Sequence, residues 1–328
     1  MPGTSPVTVQ TIRGPIDSSE LGRTLSHEHL TNGSAGMERV PGMFDLNDAV
    51  DRNVAALERV HEAGIRSLID LTPLDLGRSM ALFEGVAERS PVQVICATGV
   101  YRWVPAIFSG WGPDEFADYF TTELNEGIEG TGIRAGIIKL AWDIEYRLDP
   151  VGWGSPRTLL QRAARGAARA AKSAGVPISC HTLAADQLGV PLLDIFEDEG
   201  LDLRAVTIGH SNDTDNLLYL TRLAERGATV GFDRFFATQE QYVAQRSALA
   251  LAMVRAGHAE RTCLGHDASP YMRYAGRPLG EPNADVWLGV PEYEVPWLLE
   301  HGATEDDIDA MLVRSIRATF DAAAAMAR

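Results

Sequence analysis

The sequence predicts an α/β fold: a (β/α)8 TIM barrel of parallel strands, with residues 1–328 forming one domain. Three observations lead there. Eight short, mostly apolar runs alternate with amphipathic segments along the whole chain, glycines stand just past the ends of many of those segments, and several runs end in side chains able to bind metal. Strand and helix in strict alternation imply right-handed βαβ units, and eight repeats without a composition break favour closure into a barrel over an open sheet.

The first run, Thr24 to His29, leads into Asp48 to Glu62, where apolar residues recur at three- to four-residue spacing as a helix face requires. Ile65 to Pro73 and Val92 to Val100 are the second and third runs, separated by the helix-like Arg78 to Glu88. Val94-Ile95-Cys96-Ala97 has the near-continuous apolar character of a strand covered on both faces. Pro113 to Glu126 precedes the fourth run, Ala135 to Trp142, and Ser155 to Ala174 precedes the fifth, Val176 to Thr182. Leu188 to Glu199, Thr214 to Arg226 and Gln239 to Ala256 then alternate with Ala205 to Ser211, Ala228 to Arg234 and Thr262 to Ala268. Gly64, Gly175, Gly200, Gly227 and Gly257 follow helix ends, where a C-cap needs them. Thr304 to Arg328 reads as one helix closing the barrel bottom or flank, with Thr304 as N-cap and Glu305 to Asp307 beside the positive end of its dipole.

With 45% hydrophobic residues, 328 residues bury a substantial core. A net charge of −16 argues against nucleic acid or an anionic membrane as partner, since both demand basic surface. Met1 to Gln10 lacks the basic start and apolar segment of a leader, and no apolar run reaches membrane-spanning length, so a cytoplasmic location is expected. Cys96, Cys180 and Cys263 are odd in number, widely spaced and embedded in strand-like runs, which suits buried free thiols.

The chemistry begins at Ser26-His27-Glu28-His29. Residues two apart on a strand point the same way, so both imidazoles project into the barrel mouth while Glu28 faces away. His181, His210 and Asp267 close three further runs. Taken singly, each is an ordinary polar strand end; together, at corresponding heights on one rim, they form a metal-ligand set. Lys139 lies among Ile137, Ile138 and Leu140, a low-dielectric setting that depresses its pKa. It either pairs with Asp267 or Asp143, or its neutral amine has reacted with carbon dioxide to give an anionic carbamate that bridges two metals.

These motifs resemble the phosphotriesterase family of the amidohydrolase superfamily. Those carrying the resemblance are Gly22-Arg23-Thr24-Leu25-Ser26-His27-Glu28-His29, the Lys139 run, His181-Thr182, Gly209-His210-Ser211-Asn212-Asp213-Thr214-Asp215, Gly231-Phe232-Asp233-Arg234 and Gly265-His266-Asp267. The resemblance implies a metal-dependent hydrolase with two divalent ions, zinc by default and iron, cobalt or manganese as alternatives. His27, His29 and Asp267 would hold the more buried ion, His181 and His210 the more exposed one, and N6-carboxylated Lys139 would bridge them. A hydroxide between the metals would attack the substrate, with Asp267 as proton acceptor and Asp213 and Arg234 as a polar relay.

Arg234 also resembles the lactonase branch, which favours opening of a lactone ring with promiscuous phosphotriesterase or arylesterase activity. The alternatives are a phosphotriesterase (aryldialkylphosphatase), a carboxylic ester or amide hydrolase on the same scaffold, or a non-catalytic ligand-binding barrel. Phe235-Phe236 and Ser269 depart from the common lactonase pattern. Tyr101, Arg234, Phe235, Tyr271 and Arg273 are the expected substrate contacts, the last two from the long loop between Ala268 and Gly289. The implied partner is a small lactone or ester, and the resemblance makes a homodimer plausible.

Overall fold

The computed structural model describes residues 7–102, 104–148, 155–235, 240–274, 277–278 and 283–328. Eight parallel strands, each pairing with its neighbour in sequence, form the barrel. They are β1 (Thr24–Glu28), β2 (Ser67–Asp70), β3 (Gln93–Gly99), β4 (Ile137–Trp142), β5 (Ile178–Thr182), β6 (Val206–Gly209), β7 (Thr229–Phe232) and β8 (Thr262–Leu264). The seam between the last strand and the first is bridged by Ser26 Oγ donating to Leu264 O at 2.9 Å, Asp267 N to His27 O at 3.0 Å and His29 N to Ala268 O at 3.0 Å.

Outside the strands lie α1 (Leu46–Glu62), α2 (Met80–Ala87), α3 (Pro113–Asn125), α4 (Pro156–Ala174), α5 (Gly189–Asp198), α6 (Leu217–Glu225) and α7 (Glu240–Arg255). α4 shows how local sequence sets an element. The Ser155 hydroxyl caps its start by accepting from Thr158 N, Pro156 occupies the first turn, and Gly175 ends it in the left-handed conformation at φ 67°. The α6 expectation, Thr214 to Arg226, ran long at its start. The helix begins only at Leu217, where the Asn216 side chain caps it by accepting from Tyr219 N.

Two cores result. Ile69, Ile95, Ala97, Ile137 and Cys263 fill the barrel interior with Ile316 and Phe320 from the C-terminal tail and Val9 from an N-terminal hairpin, Thr8–Thr11 with Gly14–Asp17. A larger layer packs strands against helices. The three cysteines are buried and free, as their spacing suggested. The tail, expected as one helix, is helical throughout most of its length but passes through a π turn at Ala310–Arg314 between Glu305–Asp309 and Ser315–Met326. Its buried residues Ile308, Leu312, Ile316 and Phe320 repeat every four. A 3.6-residue period drifts off that spacing, and the wider turn keeps the row facing the barrel.

A second π turn, Gly289–Glu294, buries Glu294 completely. Its carboxyl takes the Ser247 hydroxyl, while Oε1 has no partner among the described residues. Burial pushes this acid up to about 8. Because the folded value lies above the unfolded one, its contribution is fully present below about pH 4.5 and is lost as pH rises towards about 8, at about 1.4 kcal/mol per pH unit. Glu294→Gln should therefore match the wild type in urea unfolding at pH 5 and exceed it by several kcal/mol at pH 9. Parallel stability curves would refute the assignment.

Candidate metal centre

Six side chains line the rim above the strands. His27 and His29 alternate along β1 and its exit, Lys139 is internal to β4, His181 belongs to β5, and His210 and Asp267 lie just past β6 and β8. His27 Nε2 stands 3.0 Å from Lys139 Nζ and 3.5 Å from Asp267 Oδ1, and His29 Nε2 lies 3.1 Å from the same carboxylate oxygen. His210 Nε2 is 3.9 Å from Asp267 Oδ2 and, although buried, has no hydrogen-bond partner among the described residues. His27, His210 and Asp267 offer ligand atoms all within 4.8 Å of one another. His181 packs edge-on against His210, with ring centroids 4.2 Å apart, but turns its own nitrogens to Tyr101 Oη at 3.2 Å and Asp143 Oδ2 at 2.5 Å.

The strand ends that sequence alone would continue as β are bent here for a reason. His210 and Asp267 both adopt positive φ, 57° and 54°, which removes them from the ladder and aims their side chains inward. Two glycines make room. At Gly99, with φ 132°, a Cβ would lie 1.9 Å from Lys139 O, so only glycine lets β3 approach the backbone that presents the lysine. At Gly209 a Cβ would lie 2.7 Å from Asp233 Oδ2.

Asp233, which the sequence places in the Gly231-Phe232-Asp233-Arg234 motif without a role, ties two of these histidines together. Its Oδ2 is 2.6 Å from His27 Nδ1, and its Oδ1 is 2.9 Å from His210 Nδ1 and accepts the His210 backbone N–H at 2.8 Å. Thr72 Oγ1 does the same for His29 Nδ1 at 2.8 Å. Each Nδ1 is thus anchored and each Nε2 is turned towards Asp267, the arrangement by which outer partners orient metal-binding imidazoles. In the sequence the signals for this role are an acid near the end of the seventh run and its place in that motif.

Electrostatics agree with that arrangement. Burial, then the nearby Lys139 charge, lowers His27 to about 4, and burial holds His210 well below its ordinary value, so both rings are neutral near pH 7. Burial lowers the fully buried Lys139 to about 8, against the pull of Asp267 and Asp233. Desolvation opposes the charge on Asp267, but His210, the His29 hydrogen bond and His27 outweigh it and hold the carboxyl far below the usual carboxylate range. Neutral imidazoles, an orphaned Nε2, an ionised carboxylate and a readily deprotonated amine make a donor set that fits divalent cations.

Around this cluster the rim is charged. Arg234 Nη2 lies 3.4 Å from Asp267 Oδ2, and its Nε lies 3.2 Å from Asp213 Oδ2, so the expected Asp267, Arg234 and Asp213 series is contiguous. Arg246, which the sequence reading did not single out, joins Asp213 at 2.8 Å and donates to Arg234 O at 2.5 Å. On the other side Arg102 forks onto Glu145 and reaches Asp143 at 3.2 Å. Tyr101 is held by its backbone N–H, which both oxygens of the buried Asp75 accept at 2.8 and 2.9 Å. Burial pushes the Tyr101 phenol well above its usual value, keeping it a hydroxyl donor.

The remaining expected contacts sit elsewhere in the packing. Tyr271 is buried, edge-on to Phe44, with its hydroxyl accepting from Asp45 N at 2.9 Å. Phe235 is buried in the main core. The Arg273 side chain and Phe236 lie outside the described residues. No described helix is long and apolar enough to cross a membrane.

Comparison with known proteins adds an independent line. Residues 7–320 match the model of the phosphotriesterase family. The chain is 33% identical over 327 residues to a phosphotriesterase homology protein of Mycobacterium tuberculosis, covering 95% of this chain and 97% of that one. It is 29% identical over 300 residues to an aryldialkylphosphatase of Saccharolobus solfataricus, covering 89% and 93%. An N-acetyltaurine hydrolase of Danio rerio matches at 22% over 357 residues, covering 94% and 96%.

Proposed function

This chain belongs to the phosphotriesterase family of metal-dependent hydrolases, and we propose that within it the protein is a lactonase. The observation that carries this reading is the pairing of two hydrogen-bond donors, Tyr101 Oη and Arg234 Nη2, against opposite members of the ligand cluster inside a charged rim. A lactone presents one planar carbonyl and a ring oxygen, which two donors can orient. A phosphotriester presents three apolar substituents around phosphorus and needs apolar walls. Arg102, Asp143, Glu145, Asp213, Arg234 and Arg246 supply the reverse.

Two divalent cations, zinc by default, held by His27, His29, His181, His210, Asp267 and an N6-carboxylated Lys139, would supply carbonyl polarisation and an acidified water. In this reading Asp267 takes the proton of the attacking water on its carboxylate. Arg234 fixes the orientation of that carboxylate and cannot itself carry the proton near neutral pH. Asp213 in turn holds Arg234 at 3.2 Å, so the pair steadies the Asp267 carboxylate, and the proton that Asp267 accepts passes to the ring oxygen as it leaves as an alcohol. Tyr101 donates to the substrate carbonyl, and its neutral phenol suits that task. Arylester and triester hydrolysis are expected as minor activities of the same groups.

A substrate panel on metal-reconstituted protein tests the proposal. It should span acyl homoserine, alkyl, sugar and phosphosugar lactones, aryl esters, N-acyl amides and paraoxon-like triesters. The expected result is a γ- or δ-lactone with kcat/KM at least ~10-fold above any triester or amide, an energy gap of about 1.4 kcal/mol at the transition state. A triester or amide leading the panel would overturn it.

A further inference from the structure

Glu28 stands between the two histidines of β1 and points away from them, and nothing so far gives it a task. It is fully buried. Its Oε1 accepts the backbone N–H of His266 at 2.8 Å and stands 2.6 Å from His266 Nδ1, while its Oε2 accepts the backbone N–H of Ala268 at 3.4 Å. The amide between these two, that of Asp267, donates to His27 O at 3.0 Å. Three consecutive N–H groups around Asp267 are therefore taken up by one short stretch of β1. Asp267 has φ 54°, a left-handed conformation that is uncommon for L-residues and that aspartate and asparagine adopt more readily than most.

The protonation pattern of this assembly follows from its donors. Val290 N–H donates to His266 Nε2 at 2.8 Å, so that nitrogen carries no proton. The imidazole proton is then on Nδ1 and is given to Glu28. Glu28 receives N–H donors at every contact, which is the role of a carboxylate and not of an amide or an acid. His266 also ties the strand exit to the π turn that begins at Gly289, so the loop carrying Tyr271 leaves from a braced point.

We propose that Glu28 is a positioning residue for Asp267: as a buried carboxylate it locks the 266–268 backbone into the left-handed bend that presents Asp267 to His27, His29 and Arg234. The proposal rests on the reading of Asp267 as ligand and proton acceptor. It explains the acid between two histidines. A strand that sends His27 and His29 to one side sends its middle residue to the other, where the partner segment of the barrel seam lies.

The test is E28Q, in which the amide NH2 must oppose an N–H donor. Three experiments are run: titration of the folded apoprotein with zinc alone for affinity, steady-state kinetics on the best lactone for kcat and KM, and circular dichroism for folding. A folded E28Q with zinc binding weakened ~10–100-fold, kcat lowered by a similar factor and KM within about twofold is expected, the range seen for outer-sphere partners of metal sites. A folded E28Q with wild-type zinc affinity and kcat, or with a change in KM alone, overturns the proposal. Should E28Q not fold, 15N-histidine NMR of the wild type decides: an Nδ1–H tautomer for His266 at neutral pH supports the clamp, and an Nε2–H or doubly protonated ring overturns it. If D267N loses turnover while E28Q is silent, the clamp alone fails. If both are silent, the reading of Asp267 fails with it.

Discussion

Asp267→Asn lowers kcat by about three orders of magnitude in our expectation, within the 10²–10⁴ range that a positioned proton acceptor contributes. The substitution is informative because its structural cost is small. Asparagine is nearly isosteric and is among the few residues that tolerate the left-handed φ of 54° found there. It retains one oxygen for the His29 Nε2 contact at 3.1 Å, so part of the metal affinity should survive. What it lacks is a charge to interact with Arg234 Nη2 at 3.4 Å and the ability to accept a proton near neutral pH. Elemental analysis of reconstituted protein alongside steady-state kinetics separates the two roles. Wild-type kcat in a metal-replete D267N variant would remove Asp267 from the proton pathway.

The second large effect is expected at Asp233. As a carboxylate it accepts from His27 Nδ1, His210 Nδ1 and the His210 amide at once. Asp233→Asn keeps one acceptor oxygen but sets an NH2 group against one of the imidazoles. That ring can satisfy the amide only by moving its proton to Nε2, where it covers the lone pair otherwise free for a metal. Zinc affinity should drop ~10–100-fold. Unpairing so deep a carboxylate network also costs stability, about 3–5 kcal/mol by analogy with broken buried pairs, which lowers the midpoint of thermal unfolding of the metal-free protein by roughly 5–10 °C. The interaction partners hold Asp233 well below its ordinary pKa despite its burial, so its stabilising contribution is present above the unfolded value near 4 and is lost as pH falls through the lower folded value. A D233N protein with unchanged melting and zinc titration would show that the bridge is incidental.

Much of this molecule was legible in its sequence for simple physical reasons. The eight apolar runs had to be strands because their helices came between them, and the period of two put His27 and His29 on one side. Lys139 was conspicuous as a cation inside Ile137, Ile138 and Leu140. What escaped was chiefly pairing across long sequence distances. Glu28 and His266 are 238 positions apart, and Asp233 and His27 are 206 apart. No local pattern links them. The N-terminal hairpin was read only for signs of a leader, and its four-residue strands carry too little periodicity to announce a plug for the barrel. Strand ends were overrun at His210 and Asp267 because the bend that stops the ladder is imposed by the site itself. Tyr271 and Phe235 lie in the core because an aromatic side chain serves packing as readily as recognition.

The barrel seam has a consequence for how the protein comes into being. His29 and Asp267, whose side chains meet at 3.1 Å, are separated by 238 residues. During synthesis the first strand emerges early and waits until nearly the whole chain has followed before its partner exists. Contacts of such range are the slowest a chain makes, because the entropy of closing the intervening loop is lost before anything is gained. Nascent or truncated chains hold histidines without the carboxylate and a first strand without a neighbour on one edge. Capture of a cation by the complete set is thus an event of late assembly, and it favours the closed ring over every partly wound precursor.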